Sequence, residues 1–564
     1  MLWLATAMVA IYVNPEAFDT SKPTLMGRQS AGEGFFQAYL LHSRCEQFHF
    51  WNVAREEPKA LETFLERFDL GGRPVNWIGG DEVGRLGEGG VVQMPSPRIG
   101  DYSWLRRPYG DGRFGLVGVT HTTATERIMD ALASTLLCPI QPWDAIICTS
   151  RAVRASVAVL LDAMADHLKA QLGATRIRPP RLETIPLGVD TQRFAQDPEQ
   201  RRAWREKLDI PEDAVVVLYV GRFSLTSKMN PVPMAMALER AAERTGRPVY
   251  WVLSGWASGE KNETRFHEYT KAHCPSVHYK IVDGRPPENR YSIWSVGDIF
   301  ISLSDNIQET FGLTPVEAMA AGLPSVISDW DGYKDTVRHG VDGFRVSTYT
   351  PRAGRGADFA YKYEAHWDNY EAYVGQVAQF TAVDLEESVA ALAQLIENPE
   401  LRRSMGARAQ RRAKDVFDWK HVIPAYEALW DELNAIRVKS GPPAAPQRNF
   451  AENPWALDPF RLFAAYPTEW VTAHTRVSLA PDLEVEEALL SLRKPMVAAG
   501  QPVLPAPATT RALISHLADH PHSRVHDVLA RFPHELHRDV ERGLVWLAKY
   551  GVVQIFGRSA GIID

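Results

Sequence analysis

Cysteine is scarce and scattered in this sequence. The four cysteines, Cys45, Cys138, Cys148 and Cys274, form no CxxC pair. A disulfide framework or a zinc ribbon needs cysteines paired at short spacing, so neither is indicated. A reduced, cytoplasmic setting is the simpler interpretation.

Long hydrophobic runs and an excess of positive charge are also missing. The apolar start, MLWLATAMVAIYV, ends at residue 13. It is too short to span a bilayer and lacks the basic leader and cleavage site of a signal peptide, so we expect a buried first strand. The net charge of −7 argues against a broad nucleic-acid surface, which needs clustered Lys and Arg.

Short apolar runs alternate with longer amphipathic stretches along most of the 564 residues. The strand candidates are MVAIYV, FGLVGVT, WDAIICTS and LETIPLG in the first half, and AVVVLYVGR, VYWVLSGW, VHYKIVDG, DIFISLS and PSVISD in the second. Such Val/Ile-rich runs are typical of parallel strands, and their alternation with helices is typical of α/β units. We predict two Rossmann-like domains, residues 1–210 and 211–414.

The remaining segments differ from this pattern. A helix is predicted over 415–437, and the aromatic-rich segment 349–381 is interpreted as an insertion. Pro-rich stretches, SGPPAAPQ and QPVLPAPA, bound an irregular linker region, 441–507, and a helical module resembling a winged helix follows over 508–564. Residues 441–564 carry 12 basic and 13 acidic side chains, a net charge of −1, which favours a protein partner or a second copy of the chain over nucleic acid.

The stretch ETFGLTPVEAMAAGLPSVISDWDG holds two glutamates, Glu309 and Glu317, around the turn Phe311–Leu313. Pro315 suits the first turn of a helix, so this turn joins the strand DIFISLS to a helix N-terminus, where free N–H groups bind phosphate. A glycine in the turn lets a ligand approach the backbone, and carboxylates accept hydrogen bonds from sugar hydroxyls. The spacing fits a sugar–diphosphate–ribose ligand; the alternative is helix capping with a solvated glutamate.

Two cations follow another predicted strand. In YVGRFSLTSKMN, Arg222 and Lys228 come after the run AVVVLYV. Ligands of open α/β sheets bind at the carboxyl ends of the strands. Cations there neutralise a diphosphate and stabilise it as a leaving group, although a surface pair is the alternative.

Together these motifs resemble family 4 of the retaining GT-B glycosyltransferases. The family signature E-x-FG-x-x-x-x-E is matched by Glu309, Phe311, Gly312 and Glu317, and WDAIICTSRAVRASV, IPLGVDTQRF, HGVDGFRV and VFDWKHVIPAYEALW are similar to further family motifs. The likeness extends to about residue 437. It implies an α/β GT-B fold, with two Rossmann-like domains facing a cleft and a helix crossing back to the first. It also implies retaining transfer of a sugar from a nucleoside diphosphate sugar to an acceptor hydroxyl, without a metal.

The resemblance assigns roles on the donor side. Glu309 would contact the donor sugar, Glu317 the ribose, and the amides of Phe311–Leu313 the sugar or the distal phosphate. Arg222 and Lys228 match the pair that binds the diphosphate. They stand six residues apart where the family usually shows five, which weakens the match of Lys228.

On the other side of the cleft, the resemblance implies three residues. His121, in GVTHTTAT, matches a histidine near the reacting sugar; ordinary packing is the alternative. Gly32 and Gly34, in MGRQSAGEGFFQAYL, lie where the family has a glycine-rich loop facing the donor phosphate.

Some possibilities remain open from the sequence. The motif DWD, residues 329–331, resembles a metal-binding DxD, but it follows the strand PSVISD and no metal is expected there. A sugar phosphorylase on the same fold and a non-catalytic sugar-nucleotide-binding scaffold are the alternative functions. The donor sugar, its base, the acceptor and any oligomer formed through the C-terminal module are not specified.

Overall fold

The computed structural model describes residues 9–15, 27–441, 453–498 and 503–556. The chain divides into two compact units, residues 1–450 and 451–564. Within the described residues, no helix is long and apolar enough to cross a membrane.

Among the described residues, seven parallel strands form the sheet of the N-terminal domain, in the order β3-β2-β1-β4-β5-β6-β7. They are β1 Val9–Val13, β2 Phe48–Asn52, β3 Val75–Gly79, β4 Val91–Gln93, β5 Gly115–Val119, β6 Ala145–Cys148 and β7 Arg181–Thr184. The helices are α1 Gly27–His42, α2 Pro58–Leu65, α3 Ile99–Arg106, α4 Glu126–Ser134 and α5 Arg151–Leu172. Strands β2 to β4 were not predicted, because they are short and none is a continuous Val/Ile run: β2 is FHFWN, β3 is VNWIG and β4 is VVQ.

The second domain has a six-stranded parallel sheet in the described residues, in the order β10-β9-β8-β11-β12-β13. After α6 Pro198–Lys207 come β8 Val215–Val220, β9 Val249–Gly255, β10 His278–Asp283, β11 Ile299–Ser302, β12 Ser325–Ser328 and β13 Gly343–Val346. The helices among them are α7 Val232–Thr245, α8 Glu260–Ala272, α9 Pro287–Ser292, α10 Leu313–Ala320 and α11 Tyr333–Thr336. The predicted pair of Rossmann-like domains is confirmed.

The aromatic-rich insertion folds into two helices. They are α12 Ala357–Glu364 and α13 Tyr370–Ala378, enclosed by the short antiparallel strands β14 Thr348–Tyr349 and β15 Ala382–Val383. The rings of Tyr363 and Tyr373 stack between the helices with centroids 4.4 Å apart. We call residues 357–378 the helical hairpin. The domain ends with α14 Leu385–Glu397 and α15 Pro399–Arg412.

A long helix then returns to the N-terminal domain. Following a π-helical turn over Ala413–Phe417, α16 runs Trp419–Lys439. Its Tyr426 and Trp430 are buried in the same core as Ile11 of β1, and Trp430 Nε1 donates to Gln93 Oε1 at 3.0 Å. The helix predicted over 415–437 therefore lies against the first sheet.

The packing of helix α6 shows that the boundary predicted at residue 210 is wrong. Arg201 and Arg205 form ion pairs with Asp298, immediately before β11, at 2.6 and 2.9 Å. Trp204 lies in the core of the second domain. Because α6 packs on the second domain, the boundary between the domains lies between β7 and α6. The DIPED segment is the turn that leads into β8 and does not join the domains.

The region 441–507, predicted to be an irregular linker, contains regular elements of the second compact unit, so that prediction is wrong. Its elements are α17 Pro459–Leu462, β16 Arg476–Leu479, α18 Val485–Ser491, α19 Pro495–Ala498, α20 Pro507–Asp519, β17 Ser523–Arg524, α21 Val525–Leu529, α22 His537–Lys549 and β18 Val553–Phe556. Strand β16 is central in the antiparallel order β17-β16-β18. Val477 and Ala488 share a buried core with Leu513 and Leu544. Much of the region 441–507 is thus part of the C-terminal module. It was not predicted to be so because β16 and α18 are short. Residues 442–452 and 499–502 of the predicted linkers lie outside the described residues.

Candidate functional site

The predicted donor residues meet where the strand order of the second sheet reverses, between β8 and β11. Arg222 and Lys228 follow β8, and Glu309 follows β11. In open α/β sheets the crevice outside the carboxyl ends of the strands at such a reversal is where ligands bind. The topology therefore brings together two loops that lie far apart in the sequence.

The turn after Glu309 opens helix α10, as predicted. Gly312 is its N-cap, with φ at 87°. A Cβ on Gly312 would lie 2.2 Å from a ring carbon of Tyr333. Glycine is required here by its left-handed backbone and by the Tyr333 ring; its role in letting a ligand approach the backbone stays a prediction.

Glu309 is paired inside the crevice. Its Oε2 lies 3.2 Å from Lys228 Nζ, and the N–H of Thr310 donates to Oε1 at 3.3 Å. Burial alone would raise the pKa of Glu309, but Lys228 and the amides of Thr310 and Phe311 outweigh it and hold that pKa below its usual value. Glu309 is ionised at neutral pH, and the free amides of the helix begin at Gly312 rather than Phe311.

Gln308, which the sequence analysis missed, connects the two loops. In the amide orientation that satisfies both neighbours, it accepts from Arg222 Nη2 at 3.3 Å and donates to the carbonyl of Ser227 at 2.7 Å. The hydroxyl of Tyr219 donates to the carbonyl of Arg222 at 3.2 Å. These bonds fix the loop that carries both cations. The only sequence signal was the position of Gln308 directly before Glu309.

Three further carboxyl groups lie near the crevice: Asp305 is buried, and Glu317 and Asp331 are half-buried. Burial raises the pKa of Glu317 to about 7, against the opposing charges of Arg290 and Lys228. Burial likewise raises the pKa of Asp305 to about 7, and burial with the nearby charge of Glu309 raises that of Asp331. Asp305 and Asp331 were not predicted as site residues, although DWDG carried the signal for the second.

His121 reaches the same place from the N-terminal domain. It follows β5, and its carbonyl accepts from Thr310 Oγ1 at 3.3 Å. Thr149 Oγ1 donates to the carbonyl of Thr310, also at 3.3 Å. The turn that carries Glu309 therefore contacts the chain just after β5 and β6 of the first domain. The proximity of His121 to the reacting sugar stays a prediction.

Gly32 and Gly34 are not in a loop. Both lie within α1, so their N–H groups belong to its hydrogen-bond ladder, and the prediction that they face a phosphate is corrected. A Cβ on Gly34 would lie 3.5 Å from the Trp419 indole. Gly32 and His121 line a cavity of about 30 Å³, which is room for a water molecule only. Residues 16–26, before the helix, lie outside the described residues.

Residues 200–354 match the family model described as glycosyl transferases group 1. The matched segment lies in the second Rossmann-like domain. The domain holds Arg222, Lys228, Glu309 and Glu317, and its match begins inside α6, in agreement with the corrected boundary. It ends just before the helical hairpin.

Curated glycosyltransferases are similar to part of this chain. The chain is 30% identical over 262 residues to the D-inositol 3-phosphate glycosyltransferase of Xylanimonas cellulosilytica, covering 45% of this chain and 59% of the relative. It is 32% identical over 180 residues to D-inositol 3-phosphate glycosyltransferase 2 of Catenulispora acidiphila, covering 31% and 40%. The chain thus spans about half the length of these relatives.

Solved structures give more distant likenesses. The Anabaena protein Alr3699/HepE, in complex with UDP-glucose, has a TM-score of 0.47 and 16% identity, with 77% of this chain and 100% of that chain covered. Sucrose-phosphate synthase from Thermosynechococcus elongatus has a TM-score of 0.47 and 15% identity, with 76% and 99% covered.

The helical hairpin, outside the matched group 1 residues, touches both domains beside the crevice. Thr226 Oγ1, between the two cations, donates to Glu371 Oε2 at 3.1 Å. The N–H of Glu126, at the start of α4, donates to Tyr363 Oη at 3.0 Å. The hairpin is therefore a link between the cation loop and the loop that follows His121.

Proposed function

We propose that the protein is a retaining glycosyltransferase that moves a sugar from a nucleoside diphosphate sugar to an acceptor hydroxyl, without a metal ion. The observation that carries this proposal is the Lys228–Glu309 ion pair at the N-terminus of α10, at the reversal of the strand order in the segment that matches the group 1 family model. The site offers positive charge for a diphosphate and a carboxylate for the sugar attached to it.

In the proposed complex the distal phosphate lies over the free amides that begin at Gly312. Lys228 and Arg222 flank it, and Glu317, one turn into α10, accepts from the ribose hydroxyls. Glycosyl transfer passes through an oxocarbenium-like state as negative charge grows on the leaving diphosphate. The two cations and the positive end of α10 stabilise that charge. The leaving phosphate takes the acceptor proton, so no further base is needed.

Metal independence is supported by the state of the carboxyl groups. Glu309 is already neutralised by Lys228, and burial favours the protonated forms of Glu317 and Asp305. Protonated carboxyls are poor ligands for a hard cation. In the described part of the chain, no group of three or more His, Cys, Asp or Glu side chains is placed to hold a metal.

A panel of nucleotide sugars tests the proposal. The intact protein is incubated with UDP-, GDP- and ADP-linked hexoses, in excess EDTA or in magnesium, with D-inositol 3-phosphate and simple glycosides as acceptors. We expect turnover of one donor at equal rates in both conditions, with the anomeric configuration retained in the NMR spectrum of the product. No turnover and no nucleotide binding would refute the function, and a strict need for magnesium would refute metal independence. Turnover only with inorganic phosphate as acceptor would identify a phosphorylase.

A further inference from the structure

Asp331 occupies a demanding position next to the donor crevice. Its φ is 42°, in the left-handed region where side chains other than glycine are uncommon. The next residue packs directly on the turn that follows Glu309, because a Cβ on Gly332 would lie 2.3 Å from Phe311 Cα and 2.6 Å from the carbonyl oxygen of Thr310. The loop of Asp331 and the turn of Glu309 are therefore in backbone contact.

The carboxyl group of Asp331 lacks a complete set of partners. Its Oδ2 is buried and has no hydrogen-bond partner among the described residues. The side chain is close enough to Glu309 for that negative charge to disfavour its ionisation. A buried acceptor without a donor costs free energy, and a residue that combines this cost with an unfavourable φ is typical of a functional position.

The contrast with Asp329, two residues earlier, supports this interpretation. Asp329 Oδ1 likewise has no hydrogen-bond partner among the described residues, but it lies 3.2 Å from Arg345 Nε, so an ion pair balances its charge. Trp330 is also satisfied, since its Nε1 donates to the carbonyl of Asn306 at 3.0 Å. Asp331 differs from Asp329 in having no ion-pair partner among the described residues, and it lies near the negative charge of Glu309.

We infer that Asp331 is a specificity-determining residue that accepts a hydrogen bond from a hydroxyl of the donor sugar and, with Glu309, selects a neutral hexose over a hexuronic acid. The inference rests on the proposed function. A sugar hydroxyl supplies the donor that Oδ2 lacks. A hexuronate carries a carboxylate in place of the C6 hydroxyl, so it offers Oδ2 no hydrogen-bond donor there and brings a negative charge beside the carboxyl groups of Asp331 and Glu309, where like charges repel.

The test measures binding to the intact protein by calorimetry, with UDP, UDP-glucose and UDP-glucuronic acid as probes. Asp331→Gly removes the carboxyl group and suits the positive φ, and Asp331→Asn keeps the shape of the side chain. We expect the parent to prefer UDP-glucose over UDP-glucuronic acid by about tenfold or more, and Asp331→Gly to lose most of that preference, with UDP affinity unchanged. Asp331→Asn should fall between the two.

Asp329→Asn is the matched control and should keep the parental preference. Because Asp331→Gly relieves the backbone, its thermal midpoint should equal or exceed that of the parent. An unchanged preference in both Asp331 variants, with UDP still bound, would overturn the role of Asp331 and leave the glycosyltransferase proposal intact. Equal loss of UDP and UDP-glucose affinity would also overturn it, since it would indicate a structural role. If the parent binds neither UDP nor the GDP and ADP counterparts, the proposed function itself fails.

Discussion

The two Rossmann-like domains present contrasting crevices at the same point of their topology. In the second domain, charged side chains surround the reversal between β8 and β11. Lys228 pairs directly with Glu309, and Arg222 is held by Gln308, the residue before Glu309. In the first domain the reversal lies between β1 and β4. Ile11 and Met94 line the small cavity there, and His121 lies at its edge.

We propose that the charged crevice holds the diphosphate and the apolar one the acceptor, and the difference between the crevices follows from these two ligands. A diphosphate needs cations, free amides and a helix N-terminus in fixed positions. An acceptor hydroxyl needs only a surface that brings it to the sugar. The charged crevice is therefore constrained in residue type and spacing, and the apolar one is not.

Removing the carboxylate of the charged crevice should have the largest effect. We expect Glu309→Gln to reduce transfer about 100-fold or more, which is ~2.7 kcal/mol of transition-state stabilisation. Binding of UDP should not weaken, because Lys228 loses its internal partner and is free for the diphosphate. Steady-state rates and calorimetry measure the two effects. Glu387→Gln is the control, since Glu387 accepts from Ser347 elsewhere in the domain. A rate within about threefold of the parent would contradict the role of Glu309.

Removing a cation should have the next largest effect. Lys228→Met and Arg222→Met should each weaken UDP binding by about 1.5–3 kcal/mol, the usual range for a charge-assisted hydrogen bond. Lys228→Met should also lower the thermal midpoint, because Glu309 is left buried without its partner. Arg240→Met, which removes an exposed partner of Glu386, should leave UDP affinity unchanged. Unaltered affinity in both crevice variants would place the diphosphate elsewhere.

The half-buried carboxyl of Glu317 should make stability depend on pH. Burial raises its pKa to about 7, so between pH 4.5 and 7 the folded state binds more protons than the unfolded state. Its contribution is fully present below the unfolded pKa and is lost as pH rises through the folded one. We expect Glu317→Gln to stabilise the protein relative to the parent at pH 8, by about 1–2 kcal/mol, and to show no such gain at pH 4. Denaturant titrations at both pH values provide the measurement; an equal effect at both would contradict the raised pKa.

Removing the C-terminal unit should have the smallest effect on the charged crevice. The unit has its own buried core, around Val477 and Leu513, and we propose that it recruits an acceptor or a second copy of the chain. A chain that ends at residue 440 should still hydrolyse the donor, with altered acceptor use or oligomeric state in size-exclusion measurements. A chain that ends at residue 412 also lacks α16 and should be insoluble. Loss of donor binding in the first truncation would make the unit part of the catalytic fold.

The sequence predicted the charged crevice better than the apolar one for a physical reason. Arg222, Lys228, Glu309 and Glu317 occur in short motifs next to Val/Ile-rich strands, so their placement follows from local pattern and parallel topology. Gln308 and Asp331 were missed because their significance depends on contacts between loops that are distant in the sequence.

The errors elsewhere have a similar origin. Gly32 and Gly34 were assigned to a loop by resemblance, although the local sequence continues as a helix. The strand β16 escaped notice because four residues, RVSL, carry too little periodicity to detect. The predicted boundary at residue 210 was wrong because α6 belongs to the second domain. Its ion pairs with Asp298 hold it there, and Asp298 lies about 90 residues later in the sequence.

The return of α16 to the first sheet affects the order in which the chain is made and folded. The last strand of that sheet ends at Thr184, but the helix that covers the face containing Ile11 ends only at Lys439. At ~5–20 residues per second, a ribosome needs roughly 10 to 50 seconds to cover that interval. All elements of the second domain, from α6 to α15, emerge within it. The domain that is first in the sequence is therefore the later of the two to bury its core, because its apolar face stays uncovered until translation reaches α16.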